Sequence, residues 1–178
     1  MADRVLIRRE NPSDRHAIFA VHNAAFTTSD GTAAAEALLV DQLREAADAI
    51  AQLSLVVELD GEVVGHVLGS RAHIDRVPSL GLGPLGVTAG LHRRGIGSAL
   101  MHAVLAAADA LDAPAVFLLG DPGYYRRFGF QLAQPLGVFP PDPTWTPHFQ
   151  IRTLHNWTGE IRGTFHYAPA FSTVRPPD

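Results

Sequence analysis

The residues best suited to chemistry form the run Arg93-Arg94-Gly95-Ile96-Gly97-Ser98, which follows an apolar stretch and opens a helical pattern. A helix N-terminus carries unpaired backbone N–H groups and the positive end of the helix dipole. A cation there is unfavourable by roughly 0.3–1 kcal/mol, so the two arginines predict that an anion docks on the turn. Glycine has no Cβ, which lets a bulky anion approach the backbone closely. We therefore interpret Arg93, Arg94, Gly95, Ile96, Gly97 and Ser98 as a cradle for a diphosphate.

Two familiar phosphate-binding motifs fit this chain less well. A Walker A loop ends in Gly-Lys-Ser or Gly-Lys-Thr, and neither occurs in the sequence. Gly81, Gly83 and Gly86 do form a Gly-x-Gly-x-x-Gly pattern, but in a dinucleotide fold those glycines follow a strand and open a helix directly. Here they lie inside the apolar stretch, and the helical pattern begins only near Gly95. NAD binding is therefore the alternative that a ligand-binding test must exclude.

Two motifs in the chain resemble signatures of the GNAT acyltransferase superfamily. The segment 93–97 resembles its acyl-CoA signature, Gln/Arg-x-x-Gly-x-Gly/Ala, although His92 occupies the Gln/Arg position. The segment 125–130, Tyr-Arg-Arg-Phe-Gly-Phe, resembles a second signature, Tyr-x-x-x-Gly-Phe. The two motifs stand in the order and at about the separation that the family shows. The resemblance covers about residues 5–130.

The resemblance implies an α/β (α+β) fold. The expected architecture is a mixed, mostly antiparallel twisted sheet of about seven strands, flanked by about four helices, with a splay between strands four and five. We expect one N-acetyltransferase domain over residues 1–178, with the motif core at about 5–130 and C-terminal strands within about 149–167. C-terminal strands often mediate dimers in this family, so a homodimer is a further expectation.

The resemblance also implies a reaction, the transfer of an acetyl or other acyl group from acetyl-CoA directly to a primary amine. The amine acceptor is a small molecule or a peptide. Backbone groups of Leu85 and Val87 are the expected contacts to the pantetheine arm and the acyl carbonyl. Because the chain has no cysteine, a thioester-linked enzyme intermediate is excluded. A sensor that binds acyl-CoA without turnover is the alternative, since His92 departs from the signature and the segment 80–87 has no carboxylate.

Tyr125 is the candidate general acid. It precedes Gly129 by four residues, which is the spacing that the family shows for the tyrosine that protonates the leaving thiolate. A phenol with a pKa of about 10 is protonated at neutral pH and can donate. Aromatic packing is the alternative role, and the adjacent Tyr124 is predicted to be a core residue.

The general base is left open by the sequence. An alkyl ammonium has a pKa of about 10, so a side chain or a water chain must take a proton before the amine can attack. Glu36 lies on the predicted acceptor side of the fold and is one candidate. The full set of candidates is Glu36, His66, His73, Asp75 and Asp121.

Composition excludes several other classes. The chain has 178 residues, of which 47% are hydrophobic, so a single folded domain is expected rather than disorder. The net charge of −4 gives no reason to expect nucleic acid or an anionic membrane as partner. No apolar run is long enough to span a membrane and the first residues are charged, which favours a cytoplasmic location. The histidines form no compact ligand motif, so no metal is expected.

Periodicity predicts the order of the elements. The segment 11–14 combines capping side chains with an early proline, which predicts a helix start. The segment 27–31 is predicted to be a polar break, 73–79 a connection, and 134–148 an ordered loop. Strands are predicted at 5–9, 53–59, 62–72, 80–87, 115–119, 149–154 and 163–167, and helices at 33–47 and 97–111. Pro84 cannot donate a ladder hydrogen bond, so the strand that contains it must be irregular or locally at an edge.

Overall fold

The protein is described here by a computed structural model, which covers residues 5–26 and 32–174. The predicted polar break at 27–31 lies outside these residues. Within them the strands are β1 (Val5–Arg9), β2 (Ala49–Leu59), β3 (Glu62–Ile74), β4 (Val77–Val87), β5 (Ala115–Leu119), β6 (Gln131–Leu132), β7 (Val138–Phe139), β8 (Phe149–Thr153) and β9 (Gly163–His166). The α-helices are α1 (Arg15–Ala25), α2 (Ala35–Glu45), α3 (Ile96–Ala110) and the single turn α4 (Pro122–Tyr125).

The strands form one mixed sheet in the order β1-β2-β3-β4-β5-β8-β6, with β9 pairing to β3 and β7. All neighbours along this path are antiparallel except β4 and β5, which are parallel. The short strands β7 and β9 also pair in parallel. The predicted fold class is therefore confirmed, and the two strands beyond the predicted seven are two-residue segments, β6 and β7.

The parallel strands β4 and β5 pair only at their beginnings and then separate. Leu80 pairs with Val116 and Gly81 pairs with Phe117, and no later residue of β4 pairs with β5. On its other side, where it pairs with β3, β4 carries a bulge. Between the pairs Gly69–Leu82 and Val67–Leu85, there are three steps along β4 but only two along β3. The extra residue falls at the cis Gly83–Pro84 peptide. The strand that contains Pro84 is thus irregular, as predicted, and the splay between strands four and five is confirmed.

The predicted connection at 73–79 is wrong. The strand β3 continues to Ile74 and β4 already begins at Val77, so that Asp75 and Arg76 alone make the turn. Asp75 has a φ of 48°, a left-handed conformation that aspartate tolerates better than most residues. Near the end of β3 exposed polar side chains alternate with buried ones, so the sequence there did not indicate a strand.

Helices cover both faces of the sheet. The helix α3 buries Leu100, Met101 and Val104 against one face. The helices α1 and α2 cover the other face through Ile18, Leu39 and Leu43, among others. The 3₁₀ turn that precedes α1 is held by the predicted cap: the backbone N–H of Asn11 donates to Asp14 at 2.7 Å. The open end of the β4–β5 splay therefore lies between two helical layers.

Candidate active site

The predicted anion cradle is a tight turn between β4 and α3. Arg93 and Gly95 both adopt left-handed backbone conformations, with φ of 62° and 83°. The helix begins at Ile96 with no side chain capping it and no acidic residue in its first turn. The N–H of Ala99 bonds to the carbonyl of Gly95 at 2.9 Å, so the preceding N–H groups are those that an α-helix leaves without intrahelical partners. An anion is the complement that such a helix start lacks.

His92, the residue that departs from the family signature, folds back onto the strand. Its Nε2 lies 2.9 Å from the backbone carbonyl of Val87. The ring therefore ties the turn to the end of β4 and holds the loop between them. The interaction explains how a histidine at this position serves the local geometry without reaching toward a ligand.

A cavity of about 600 Å³ opens over this turn and is here called the turn cavity. Its lining combines the end of β4, the turn, the start of α3 and two residues near α4. Arg127 is held at its rim, because its guanidinium lies 4.7 Å from the centre of the Tyr124 ring and its Nε donates to the Tyr124 carbonyl at 3.0 Å. The lining includes Leu85, Val87, Arg93, Gly95, Ile96, Gly97 and Ser98, which are all the predicted cofactor-binding residues except Arg94.

A second cavity, of about 570 Å³, occupies the gap where β4 and β5 separate and is here called the splay cavity. It shares Phe26, Leu85 and Tyr124 with the turn cavity, so the two meet at those side chains. Its other walls come from α2, α3, the end of β5, α4 and the C-terminal segment. They include Glu36, Leu39, Leu82, Met101, Asp121, Tyr125, Trp145, Tyr167, Phe171 and Val174.

Tyr125, the predicted general acid, lines the splay cavity from α4. Its ring packs on Gly120, where a Cβ would overlap the ring carbons. Burial, with smaller contributions from Tyr124 and Asp121, raises the pKa of Tyr125 to about 12. The phenol therefore stays protonated throughout the neutral range. Tyr124, predicted to be a core residue, packs on the core but also lines both cavities at their junction.

Tyr167 is a site residue that the sequence reasoning missed. Its ring packs on Gly81, where a Cβ would lie 3.1 Å from a ring carbon, and Gly81 is the last β4 residue paired with β5. Its hydroxyl is buried without a hydrogen-bond partner among the described residues. Burial, helped by the nearby Tyr125, raises the pKa of Tyr167 above the usual range of tyrosine. A tyrosine just after a short strand has no sequence pattern that could have revealed this placement.

The candidates for the general base are scattered. Glu36 lies half-buried in the first turn of α2 and faces the splay cavity. Asp121 also lines that cavity, but its carboxylate accepts the N–H of Gly123 at 2.8 Å and caps α4. His73 and Asp75 lie at the far end of the β3–β4 hairpin, and neither lines the two cavities.

The remaining candidate, His66, belongs to a chain of buried polar side chains beneath β4. Its Nδ1 lies 2.7 Å from Nε2 of His22, and its Nε2 lies 2.9 Å from the hydroxyl of Ser54. That hydroxyl donates to Glu10 at 2.6 Å, and Glu10 forms an ion pair with Arg44 at 2.7 Å. His22 and His66 are both fully buried. This series of hydrogen-bonded side chains runs through the core rather than into either cavity.

The described part of the chain contains neither a metal-binding cluster nor a membrane-spanning helix. No cluster of three or more histidine and acidic side chains there could hold a metal ion. No described helix is long and apolar enough to cross a membrane.

Comparison with known proteins identifies the class. The model of the acetyltransferase (GNAT) family matches residues 15–130. A curated Escherichia coli K12 protein, described as the uncharacterized N-acetyltransferase YhbS, is 36% identical over 132 residues, which are 72% of this chain and 75% of that protein. The chain therefore belongs to the GNAT acetyltransferase family.

Two solved structures resemble the whole chain. The crystal structure of E. coli YhbS in complex with CoA matches with a TM-score of 0.88 and 31% identity, covering 97% of this chain and 94% of that one. A GNAT family acetyltransferase from Brucella melitensis in complex with acetyl-CoA matches with a TM-score of 0.78 and 34% identity, covering 94% and 98%.

Proposed function

We propose that this protein transfers an acetyl group from acetyl-CoA directly to a primary amine. The observation that carries the proposal is the pair of cavities that meet at Phe26, Leu85 and Tyr124, one over a cationic helix start and the other lined by Tyr125. The bound CoA and acetyl-CoA of the two structural relatives support this choice of donor.

The turn cavity holds the phosphates of the donor in this proposal. The free N–H groups at the start of α3 and the side chains of Arg93 and Arg127 bind the anion. Leu85 and Val87 offer backbone groups to the pantetheine arm as it passes along the part of β4 that is not paired with β5. The acyl group then reaches the junction of the cavities, next to Tyr124 and Tyr125.

The chemistry requires two proton movements. Glu36 takes a proton from the acceptor ammonium, and the free amine attacks the thioester carbonyl carbon. The new C–N bond forms as the C–S bond breaks, and Tyr125 donates its phenolic proton to the departing sulfur. The proton that the amine nitrogen loses afterwards restores Tyr125 through solvent. Positioning of the two reactants supplies much of the rate enhancement.

Ligand binding is tested first by thermal unfolding with acetyl-CoA, CoA and NAD. A ligand at 100 times its Kd stabilises the fold by about 2.7 kcal/mol, which is several degrees. We expect shifts with both CoA species and none with NAD. Gly97→Asp and Arg93→Glu abolish the shifts, whereas Arg126→Glu, at an exposed position lining neither cavity, keeps them.

Turnover distinguishes an enzyme from a sensor. The alternative, an acyl-CoA-binding module without catalysis, is favoured only by the lack of a carboxylate on β4. Release of free CoA thiol with a panel of primary amines, at a rate proportional to enzyme, establishes catalysis. Tight acetyl-CoA binding with no amine-dependent release across the panel would instead establish the sensor.

A further inference from the structure

We propose that the acceptor is a small primary amine with an apolar body, held in the splay cavity with its ammonium at Glu36. This inference rests on the proposed acetyl transfer and adds the chemical class of the acceptor. It is carried by the distribution of charge between the two cavities, by the apolar walls of the splay cavity, and by its size.

The two cavities have opposite charge. Of the described residues, those that line the turn cavity include Arg93 and Arg127 and no carboxylate. Those that line the splay cavity include Glu36 and Asp121 and no basic side chain. An anionic donor is therefore drawn to one side of the junction and a cationic acceptor to the other.

Glu36 is the available anion of the splay cavity. Asp121 already accepts the N–H of Gly123, whereas Glu36 makes no hydrogen bond or ion pair with another described residue. Its place in the first turn of α2 keeps the carboxylate near the positive end of that helix. A carboxylate in the wall of the splay cavity can hold an ammonium before it loses its proton.

Much of the remaining wall of the splay cavity is apolar. Leu39 faces it from α2, Phe26 from just after α1, Met101 from α3, and Phe171 and Val174 from the C-terminal segment. A second ammonium or several hydroxyls placed against these walls would lose water without gaining partners. An aryl or alkyl body gains contact with the same surfaces.

The dimensions favour a small molecule. A volume of about 570 Å³ lies within the range of small-molecule sites, roughly 300–1,000 Å³. The C-terminal segment forms one wall of the cavity, which narrows the room for an extended peptide on that side.

The test compares acceptors under saturating acetyl-CoA. We expect kcat/KM for phenethylamine and hexylamine to exceed that for methylamine and spermidine by about a hundredfold. Phe171→Ala lowers kcat/KM for phenethylamine about tenfold and leaves that for methylamine within about twofold. Phe139→Ala, which removes an exposed phenylalanine outside the cavity, changes neither. Phe171→Leu restores most of the loss if the effect is one of apolar contact rather than of folding.

Charge at the acceptor site is tested separately. Glu36→Gln raises the KM for phenethylamine about tenfold and leaves the thermal shift with acetyl-CoA unchanged. Glu45→Gln removes the same charge from the exposed end of the same helix and has no effect. An unchanged amine KM in Glu36→Gln would contradict the assignment of the ammonium to this carboxylate.

Two outcomes would overturn the acceptor class while leaving acetyl transfer intact. One is a preference for spermidine or a lysine peptide over phenethylamine. The other is faster transfer from octanoyl-CoA than from acetyl-CoA to methylamine, which would assign the apolar walls to the acyl chain. Failure of the protein to bind acetyl-CoA at all, seen in the thermal shift, would instead overturn the proposed function itself.

Discussion

The Nε2 atom of His22 lies 2.7 Å from Nδ1 of His66, and both rings are fully buried beneath β4. Ser54 gives its one hydroxyl hydrogen to Glu10, so Nε2 of His66 must donate to Ser54. Nδ1 of His66 then accepts from His22, and Nδ1 of His22 is left as a buried nitrogen without a partner among the described residues. Each hydrogen donated along this series of buried side chains therefore points toward the carboxylate of Glu10.

Acid is expected to destabilise the protein through these two rings. Burial is the main cause that lowers the pKa of His22 and of His66, so the folded state holds both neutral while the unfolded state protonates them below pH of about 6.5. Stability therefore falls as the pH drops below about 6.5, by up to about 1.4 kcal/mol per pH unit for each ring. Urea unfolding at pH 7.5 and 5.5 measures the difference.

An exposed pair acts in the opposite direction in the same pH window. Asp109 raises the pKa of His155, so this pair contributes stability below pH of about 6.5 that is lost as the pH rises through the folded pKa. The urea comparison is therefore repeated in His155→Ala, where the acid-induced loss should be at least as large. Equal stability of this variant at both pH values would show that the buried rings take up protons in the folded state as readily as in the unfolded state.

Removal of the Glu10 carboxylate is expected to be costly. Glu10→Gln leaves Arg44, whose side chain is only 10% exposed, with one ion-pair partner fewer and weakens the acceptor of Ser54. We expect a loss of about 2–3 kcal/mol in the free energy of unfolding. Asp41→Asn removes the other partner of Arg44, which is 45% exposed, and should cost less than about 1 kcal/mol. Similar losses in both variants would contradict a special role for the buried chain.

The same series of buried polar side chains requires a glycine at position 86. Gly86 lies directly opposite His66 in the β3–β4 ladder, and a Cβ on it would approach Nδ1 of His22 to 2.8 Å. Gly86→Ala is therefore expected to destabilise the fold by about 1–3 kcal/mol. Gly97→Ala is the matched control, since a Cβ there would approach no atom outside its own helix closer than 3.5 Å. Thermal unfolding of the two variants should separate them clearly.

Loss of the Tyr125 hydroxyl is expected to slow the reaction but not donor binding. Tyr125→Phe keeps the ring against Gly120 and removes the proton donor, so kcat should fall about a hundredfold. The thermal shift with acetyl-CoA should persist, because the phosphates bind elsewhere. A kcat within about twofold of the unmodified protein would reduce Tyr125 to a packing residue.

Tyr167→Phe should separate stability from turnover. The hydroxyl is buried without a partner among the described residues, so its removal relieves an unpaired polar group and should stabilise the unliganded protein by about 1 kcal/mol. Because the hydroxyl is buried, the same variant is expected to leave the KM for tyramine and for phenethylamine unchanged. Destabilisation of the unliganded variant would mean that the hydroxyl is bonded in solution.

Local patterns determined much of this protein in advance. The segment 93–98 predicted the turn that opens α3, the segment 11–14 predicted a helix start, and Pro84 predicted an irregular strand, because each property belongs to a few consecutive residues. Anion binding at that turn stays a prediction. The family signatures predicted the fold class, which the sheet order and the relatives confirm. The roles of Tyr125 and Glu36 stay predictions until the variants are measured.

Only the tertiary structure decided which distant residues meet. Tyr167 reaches the splay because β9 pairs with β3. His22 meets His66 because α1 packs on β3, and Ser54 meets His66 because β2 pairs with β3. The burial that raises the pKa of Tyr125 likewise depends on surfaces contributed by several segments. Contacts between residues far apart in the chain depend on strand pairing and helix packing, and no periodicity in a single segment encodes them.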